Sequence, residues 1–355
     1  MAFFVIVLVI IILLVQKLTM DNAFNGLEFE YYPSVLLAAP DDKFEIVTTI
    51  TNRHYKFIPY IAVEGRLPSA VMLHDHPSKL VNPLTNEAKF SYSAYLMPRS
   101  KLQKSFSASI PKRGRYEFTS AFLSAGDFLG LDEEMRNFAS TGEIVVYPKE
   151  NGSVYIDNVM GGFLGDLSVR RFIMEDPVLS AGSREYTGRE PMKAISWSHS
   201  ARLGNLMVKT YDYTTEPSVT VLLNVECDGA DLSLNEKHEN IEKCYSITHR
   251  VCKILEERRI KYDFYTNATT SGVFRDWAYI SEGLGRRHFF TILEGMGRAS
   301  YRYREPFSSV IKRMDRHSSR ALIIISPAEK KDVLPYLDNK NPRQTLIITA
   351  GDARR

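Results

Sequence analysis

The sequence predicts a mixed fold class, with an N-terminal transmembrane helix, an all-β sandwich domain and then an open α/β sheet. Three observations predict it. An uncharged apolar run fills residues 2–15, short strands broken by Pro and Gly fill residues 27–149, and apolar strands alternate with helical periods after Pro217. A chain of 355 residues is long enough for several domains. We expect an anchor, a sandwich, a linking segment and an α/β domain, at residues 1–20, 21–150, 151–216 and 217–355.

The apolar run predicts a membrane anchor through residues 2–19. A spanning helix needs about 20 apolar residues, and Lys17 can extend the run by reaching to the lipid headgroups. A secretory signal peptide is the alternative, but no basic residue precedes the run and no small-residue cleavage site follows it. The positive charge after the run predicts a single-pass protein of the cell membrane with its soluble part in the cytoplasm.

The next region is predicted to form the β-sandwich. Within residues 43–52, alternate side chains place Phe44, Ile46 and Ile50 on one face of a strand. The sequence PKRG at residues 111–114 lies between two strand-like segments and predicts a hairpin turn. Because no helical period of useful length interrupts these strands, a sandwich is the expected architecture.

The last region is predicted to be an α/β sheet with helices. Residues 218–225 form a continuous apolar run, as expected of a strand that is buried on both faces. A helical period follows it, at Ile241, Cys244, Ile247, Val251, Ile254 and Leu255. Shorter strands and helices then alternate to the end of the chain.

Charge and cysteine content exclude several functions. The net charge is +3, which argues against a general nucleic-acid binder, because such proteins usually carry a strong basic excess. The three cysteines, Cys227, Cys244 and Cys252, have no metal-ligand spacing and do not form a disulfide framework. A reducing compartment is therefore expected.

A dense basic and aromatic block occupies residues 183–213. Its pattern resembles the signature of the domain-of-unknown-function 58 family, and the matching residues are Arg184, Glu185, Tyr186, Glu190, Lys193, Ile195, Trp197, Ser200, Ala201, Arg202, Leu206 and Lys209. Two positions depart from that signature, with Arg189 in place of Gly and Glu190 in place of Asp. Shorter segments are also similar to the family, namely RGRY at 113–116, GDFLGL at 126–131 and VVYPK at 145–149.

The resemblance implies a fold and a set of partners. It implies that the α/β sheet is a von Willebrand factor A-like domain behind a membrane segment and a β-rich domain. It also implies protein partners, either a MoxR-type AAA+ ATPase or other von Willebrand factor A proteins, and a role in assembly. The expected function is therefore a membrane-anchored, non-enzymatic protein-interaction or assembly factor, with no catalytic residue and no nucleic-acid partner.

Three interpretations of the basic and aromatic block stay open. In a structural role, ion pairs between domains would be formed by Arg184, Glu185, Lys193 and Arg202, while Trp197 and Tyr186 would supply buried area. In a binding role, the same residues would form a face for a protein partner. A nucleic-acid surface is the third interpretation, and the acidic residues within the block argue against it.

The resemblance also implies a place for a metal ion. A von Willebrand factor A domain binds a divalent ion through Asp-x-Ser-x-Ser after its first strand, and oxygen ligands of this kind suit Mg²⁺. Here the corresponding residues are Asn224, Glu226 and Asp228, and a later strand ends at Ser326. We therefore expect a degenerate metal or docking edge, with Mg²⁺ as the candidate ion but no intact metal site. The alternative function is a carboxylate-dependent hydrolase that uses Glu226 and Asp228 at this edge of the sheet.

Overall fold

The computed structural model describes most of the chain in ranges separated by short gaps. The described residues are 3, 4, 7, 10, 12, 24–74, 80–82, 87–126, 133–171, 180–188, 190–211, 218–227, 232–272, 275–314, 320–337 and 344–354. The chain divides into two compact units, Met1–Lys149 with Leu293–Arg298 and Glu150–Ile292 with Ala299–Arg355. The domain boundaries expected at 20, 150 and 216 stay predictions.

The first unit is a β-sandwich, which confirms that part of the prediction. Its strands are β1 (Leu27–Pro33), β2 (Leu37–Ala38), β3 (Phe44–Asn52), β4 (Ile58–Pro68), β5 (Met72–Leu73), β6 (Leu80–Asn82), β7 (Glu87–Leu96), β8 (Lys101–Ser109), β9 (Gly114–Gly126) and β10 (Glu133–Val146). In the described ranges they make sheet A, in the order β1-β3-β8-β5, and sheet B, in the order β2-β10-β9-β4-β7-β6. Neighbouring strands are antiparallel apart from the short parallel pairing of β2 with β10.

Strand β4 shows how the sequence builds the sandwich. Ile61, Val63 and Leu67 are buried, whereas Ala62, Glu64 and Arg66 are partly exposed. This period of two is that of a strand with one face on the core. Gly65 is buried in the same row because it lies under the ring of Phe90, where an added Cβ would be 2.1 Å from the ring atom Cε1.

Aromatic side chains fill the space between the two sheets. Tyr31 of sheet A packs against Phe118 and Phe90 of sheet B, with ring centroids 5.6 and 5.9 Å apart. Phe106 of sheet A adds a contact to Phe90 at 5.0 Å. The hydroxyl of Tyr31 donates a hydrogen bond of 2.9 Å to the carbonyl oxygen of Arg66. Burial raises the pKa of Tyr31 well above its ordinary value, so this hydroxyl stays a donor.

The second unit contains helices and strands. Its elements are α1 (Val154–Arg171), β11 (Ser180–Glu185), α2 (Trp197–Leu203), β12 (Met207–Tyr211), β13 (Ser218–Leu223), α3 (Leu234–Glu257), β14 (Lys261–Thr266), β15 (Ala268–Thr270), β16 (Tyr279–Gly283), α4 (Arg286–Arg298), β17 (Ala299–Tyr303), α5 (Phe307–Met314), β18 (Ala321–Ser326), α6 (Lys330–Val333) and β19 (Thr345–Thr349). The last six residues of α4, Leu293–Arg298, are assigned to the first unit. Short 3₁₀ helices cover Met192–Ala194, Leu334–Leu337 and Ala350–Arg354.

A mixed sheet lies at the centre of this unit. In the described part of the chain its order is β16-β14-β13-β18-β19, and we call it sheet C. Strands β13, β14, β18 and β19 run parallel, whereas β16 pairs antiparallel with β14. Val219–Leu223 are buried, as predicted for a strand covered on both faces. The chain passes from β13 to β14 on one side and later returns to β18 on the other, so the strand order reverses beside β13.

Helix α3 covers sheet C with the predicted face. Ile241, Cys244, Ile247, Val251, Ile254 and Leu255 are all buried, which confirms the helical period. The helix begins with a capping box, in which Glu236 N–H bonds to the Ser233 hydroxyl and the Glu236 carboxylate accepts from Ser233 N–H. These reciprocal bonds satisfy the backbone N–H groups of Ser233 and Glu236 at the first turn and set where the helix starts.

The predicted fold class is wrong, although the β-sandwich that formed part of it is present. In the described ranges, strand residues outnumber helical residues. Sheet C combines four parallel strands with the antiparallel β16, and it is not shown to be the predicted von Willebrand factor A-like open sheet. Two further antiparallel ladders are present, β11 with β12 and β15 with β17, and the first lies in the segment that was expected to link the domains. The strands of the β15–β17 ladder are only three and five residues long, so their periodicity is too short to detect.

The membrane prediction is also wrong. Among the described residues, no helix has both the length and the apolar character needed to cross a membrane. A single-pass protein of the cell membrane is therefore not supported. Most of the expected anchor, residues 2–19, lies outside the described residues.

We expect the Tyr31 hydroxyl to contribute measurably to the stability of the sandwich. Tyr31→Phe should lower the free energy of unfolding by about 1 kcal/mol, because the Arg66 carbonyl oxygen loses a donor inside the core. Chemical denaturation of the purified chain measures the change. Tyr32→Phe is the matched control, since Tyr32 is 41% exposed on the neighbouring position. Equal losses in the two variants would contradict the assignment.

Candidate functional site

The sequence-predicted site residues lie in two separate places in the second unit. One is the edge of sheet C where β13, β14 and β18 end. The other is the ladder of β11 and β12 with helix α2 between them, which we call the signature module (residues 180–188 and 190–211).

Side chains from three strand ends meet at the edge of sheet C. Asn224 follows β13, Asn267 follows β14, and Ser326 is the last residue of β18. The amide nitrogen of Asn267 donates to Asn224 Oδ1 at 2.7 Å, and Asn224 Nδ2 donates to Ser326 Oγ at 3.0 Å. All three side chains are buried. The structure therefore brings Asn224 and Ser326 together, as parallel strands require.

Backbone groups complete this network. Asn224 Oδ1 also accepts a hydrogen bond of 2.9 Å from the backbone N–H of Glu226. Asn267 Oδ1 accepts one of 2.8 Å from the backbone N–H of Val225. Both oxygens of the buried amides are thus engaged, as buried polar groups generally are. The segment after β13 is fixed by these bonds.

Glu226 contacts the start of helix α5. Its Oε2 accepts a hydrogen bond of 2.5 Å from the backbone N–H of Phe307, the first residue of that helix. The first N–H groups of a helix lack partners within the helix, and a carboxylate at this end is also favoured by the helix dipole. Glu226 therefore acts as a cap for α5 from a distant part of the chain.

The described residues of this edge do not fit a magnesium ion. Mg²⁺ needs several oxygen ligands in near-octahedral geometry. Asn224 Oδ1 already accepts two hydrogen bonds and Glu226 caps α5. Asp228 lies outside the described residues. Within the ranges that are described, no group of three or more His, Cys, Asp or Glu is arranged to hold a metal.

The signature module is held together by backbone pairing. Arg184 lies opposite Val208 in the antiparallel ladder, and Glu185 lies opposite Met207. The backbone N–H of Tyr186 donates to the carbonyl oxygen of Leu206 at 2.9 Å and extends the pairing by one step. The region expected to be a linker is therefore an ordered hairpin with α2 in its connection.

Ser200 attaches helix α2 to the ladder. Its hydroxyl donates to the carbonyl oxygen of Ser196 at 2.9 Å and accepts from the backbone N–H of Met207 at 2.8 Å. Ser196 N–H donates to the Met207 carbonyl oxygen at 2.8 Å. Ser196 Oγ and His199 Nδ1 are 3.0 Å apart. The role of Ser200 in this module is structural, because its oxygen is committed to the backbone.

A polar cluster closes the other end of the module. The Arg184 guanidinium lies 2.6 Å from the Glu190 carboxylate. The same carboxylate accepts hydrogen bonds from the hydroxyl of Thr187 at 2.8 Å and from its backbone N–H at 3.1 Å. The Thr187 hydroxyl, with Arg184, lowers the pKa of Glu190 to about 2. Arg184 and Glu190 thus pair with each other within the module.

Several signature residues point to solvent. Trp197 is 61% exposed. Ala201, one helical turn later, is exposed beside it, because the Ser200 side of α2 faces the ladder. The basic side chains of the module are also exposed, at Lys193, Arg202 and Lys209.

Two functional contacts were not predicted from the sequence. Asn267 follows β14 as Asn224 follows β13, so the position of an Asn after an apolar strand was a usable signal. The contact of Glu226 with Phe307 joins residues 81 positions apart, and nothing in the local sequence indicates it.

Comparisons with known proteins give limited similarity. No family model matches the chain, and no curated protein matches it. The CARDB domain of a Pyrococcus furiosus protein, solved with di-metal ions, is 14% identical over 34% of this chain and 91% of that domain, with a TM-score of 0.22. A non-cellulosomal cohesin from Archaeoglobus fulgidus is 12% identical over 34% of this chain and 91% of its own, with a TM-score of 0.24. A type II cohesin domain from the cellulosome of Acetivibrio cellulolyticus is 11% identical over 34% of this chain and 95% of its own, also with a TM-score of 0.24.

The resemblance to the domain-of-unknown-function 58 family is wrong. No family model and no curated protein supports it. The TM-scores of the solved structures are too low to support a functional argument. The short motifs behind the resemblance reflect local requirements, such as the pairing of Arg184 with Glu190 and the backbone contacts of Ser200.

We expect Glu226 to stabilise the protein as a helix cap. Glu226→Ala should lower the free energy of unfolding by about 1–2 kcal/mol, because Phe307 N–H loses its acceptor, and Glu226→Gln should cost less because an oxygen remains. Chemical denaturation measures both. Glu329→Ala is the control, since Glu329 is an exposed side chain that makes no cap bond at α6. A rise in melting temperature on adding Mg²⁺ that is lost in Glu226→Ala would contradict this role, because it would identify Glu226 as a metal ligand.

We expect the polar cluster of the module to depend on pH below the ordinary range of Glu. The pKa of Glu190 in the folded protein, about 2, lies below its ordinary value of 4.5, so the stability contributed by its charge is present above pH 4.5 and is lost as the pH falls toward 2. The NMR shift of the Thr187 amide proton should follow this titration. Glu190→Gln should abolish it. A midpoint near 4.5 in the unmodified protein would refute the assigned contacts.

Proposed function

We propose that this protein is a non-enzymatic protein-interaction factor and that the outward side of α2, with the exposed basic residues of the signature module, is its docking surface. The exposure of Trp197 is the observation that supports the proposal most directly. Covering a large aromatic side chain is favourable by about 25 cal/mol for each Å² removed from water. Tryptophan is also enriched among the residues that dominate binding energy at protein interfaces.

The module presents this surface in a fixed orientation. Ser200 bonds the inner side of α2 to Met207 of β12, and Ser196 N–H bonds to the same residue. The αL conformation of Gly204 ends the helix, with its N–H donating to the Ser200 carbonyl oxygen. A surface that is already ordered loses less conformational entropy on binding.

The charge of the module favours an acidic partner. Lys193, Arg202 and Lys209 are exposed, whereas the Glu190 carboxylate is engaged by Arg184. An acidic protein surface would complement these charges and speed the encounter. An AAA+ ATPase or a von Willebrand factor A protein stays the finer expectation for the partner, which direct capture tests.

The competing hydrolase function has less support. Its proposed carboxylates are Glu226, which accepts a hydrogen bond from Phe307 N–H at the start of α5, and Asp228, which lies outside the described residues. A catalytic carboxylate must be able to reach a substrate proton or water. The closed hydrogen-bond network around Asn224 likewise supports docking without a metal ion.

We expect Trp197→Ala to weaken the binding of the protein partner. The tagged full-length chain is cross-linked in its native cells and captured, and co-purified proteins are quantified by mass spectrometry. Loss of a central Trp costs at least about 2 kcal/mol, so recovery of a specific partner should fall about 30-fold. Arg202→Ala should cause a smaller loss, because an exposed charge contributes less than a buried aromatic group.

The matched control is Tyr55→Ala in the β-sandwich. Tyr55 is 72% exposed, so the two variants remove comparably accessible aromatic side chains from different units. Recovery should be unchanged in this variant. A partner that is lost with Tyr55→Ala but retained with Trp197→Ala would move the docking surface to the sandwich and refute the proposal.

A further inference from the structure

We propose that a cavity in the second unit binds a small anionic molecule with a flat apolar body. The cavity has a volume of about 440 Å³, which lies within the range of roughly 300–1,000 Å³ that is common for ligand sites. Val225 and Cys227 line it beside the carboxyl end of β13. These residues alternate along the chain with Asn224 and Glu226, which are occupied by the network described above.

One wall of the cavity is the start of helix α3. Leu234, Lys237, His238 and Ile241 line it, at the three- and four-residue spacing that places side chains on one face of a helix. Ile241 belongs to the buried stripe that covers sheet C. Leu234 lies two turns earlier on the same stripe but is 68% exposed. The apolar face of α3 thus continues beyond the protein core into the cavity, where a ligand can cover it.

The opposite wall is strand β17. Tyr301 lines the cavity and stacks on His238, with ring centroids 4.3 Å apart and planes inclined by 22°. The strand is held by Tyr245, a buried residue of α3 whose hydroxyl donates to the Ser300 carbonyl oxygen at 2.9 Å. Tyr303 adds a second aromatic side chain to the wall. Because Tyr301 and His238 already stack on each other, a flat apolar group would pack against the edge of this pair and against Tyr303, and aromatic rings pack well in edge arrangements.

The charge of the lining selects an anion. Lys237 and Arg302 carry positive charge, and no Asp or Glu is among the described residues that line the cavity. The first N–H groups of α3 do not supply this selectivity, because the capping box of Ser233 and Glu236 already occupies that end of the helix. Recognition therefore rests on the two basic side chains, one from each wall.

This site is independent of the proposed docking surface. None of the residues of the signature module lines the cavity. A ligand here could bind to a chain whose α2 surface is altered, and Trp197→Ala should leave ligand binding unchanged. Failure of either proposal can therefore be recognised without the other.

Cys227 provides a direct readout of the cavity. It is partly exposed and forms no disulfide. Cys244 and Cys252 are fully buried, and burial raises the pKa of both thiols well above the ordinary value, so neither competes for an alkylating reagent in the folded chain. The rate at which iodoacetamide labels Cys227 in the full-length protein therefore reports whether the cavity is occupied.

The test compares 2-naphthoate with the uncharged 2-naphthalenemethanol, which has the same ring system. We expect 2-naphthoate to slow the labelling of Cys227 and to give half protection at a concentration about tenfold lower than the alcohol. Isothermal titration calorimetry of the same two compounds provides a second measurement that does not depend on the thiol. Equal action of the two compounds, or no binding of 2-naphthoate at about 10 mM, would overturn the proposal.

Variants then test the two basic residues. The double variant Lys237→Met, Arg302→Met should weaken protection by 2-naphthoate about tenfold while leaving that by the alcohol unchanged. Lys312→Met is the matched control, because Lys312 is exposed on α5 and does not line the cavity. Circular dichroism checks that the variants are folded. Full protection by 2-naphthoate in the folded double variant would refute the assigned recognition.

Discussion

The buried amide of Asn224 is the interaction on which the arrangement of the second unit depends. A buried amide left without partners costs about 1–3 kcal/mol for each lost bond, so its oxygen and nitrogen determine where Asn267, Ser326 and the backbone of Glu226 must lie. That constraint joins the ends of β13, β14 and β18. It also sends the Glu226 carboxylate to α5 and leaves Val225 and Cys227 to line the cavity. The helix cap and the cavity are thus two consequences of one satisfied side chain.

Local periodicity explains which elements could be predicted. The alternation in β3 and β4, the apolar run of β13 and the stripe of α3 depend on residues near in sequence, and the structure contains them. Helix α6 is only four residues long, because it ends at Val333 and is followed by a 3₁₀ helix containing Pro335, which has no N–H to donate. The meeting of Asn224 with Ser326 was predictable from parallel strand ends, whereas the cap of Glu226 on Phe307 and the cavity wall of β17 were not, because these contacts form between distant segments.

The incorrect family resemblance has a physical explanation. In this chain the patterns Arg-Glu-Tyr and Ser-Ala-Arg supply one partner of the Arg184–Glu190 ion pair and the Ser200 hydroxyl that binds the backbone, and such needs recur in unrelated proteins. In this chain Ser200 and Glu190 satisfy local groups, and the sequence between them folds as a hairpin with a helix. A shared pattern of this length therefore indicates a local structure and carries little information about the sheet or the partners of the whole chain. The exposure of Trp197, which the pattern alone could not show, is the more informative property.

The packing of Gly65 beneath the ring of Phe90 has a consequence for the evolution of the sandwich. Any side chain at position 65 would overlap the aromatic ring across the pair of strands, since even a Cβ would come within 2.1 Å of it. Conversely, a smaller residue at position 90 would leave a void that a larger residue at 65 could fill. The two positions are therefore expected to vary together among descendants of a common ancestor, with the volume gained at one offset by the volume lost at the other.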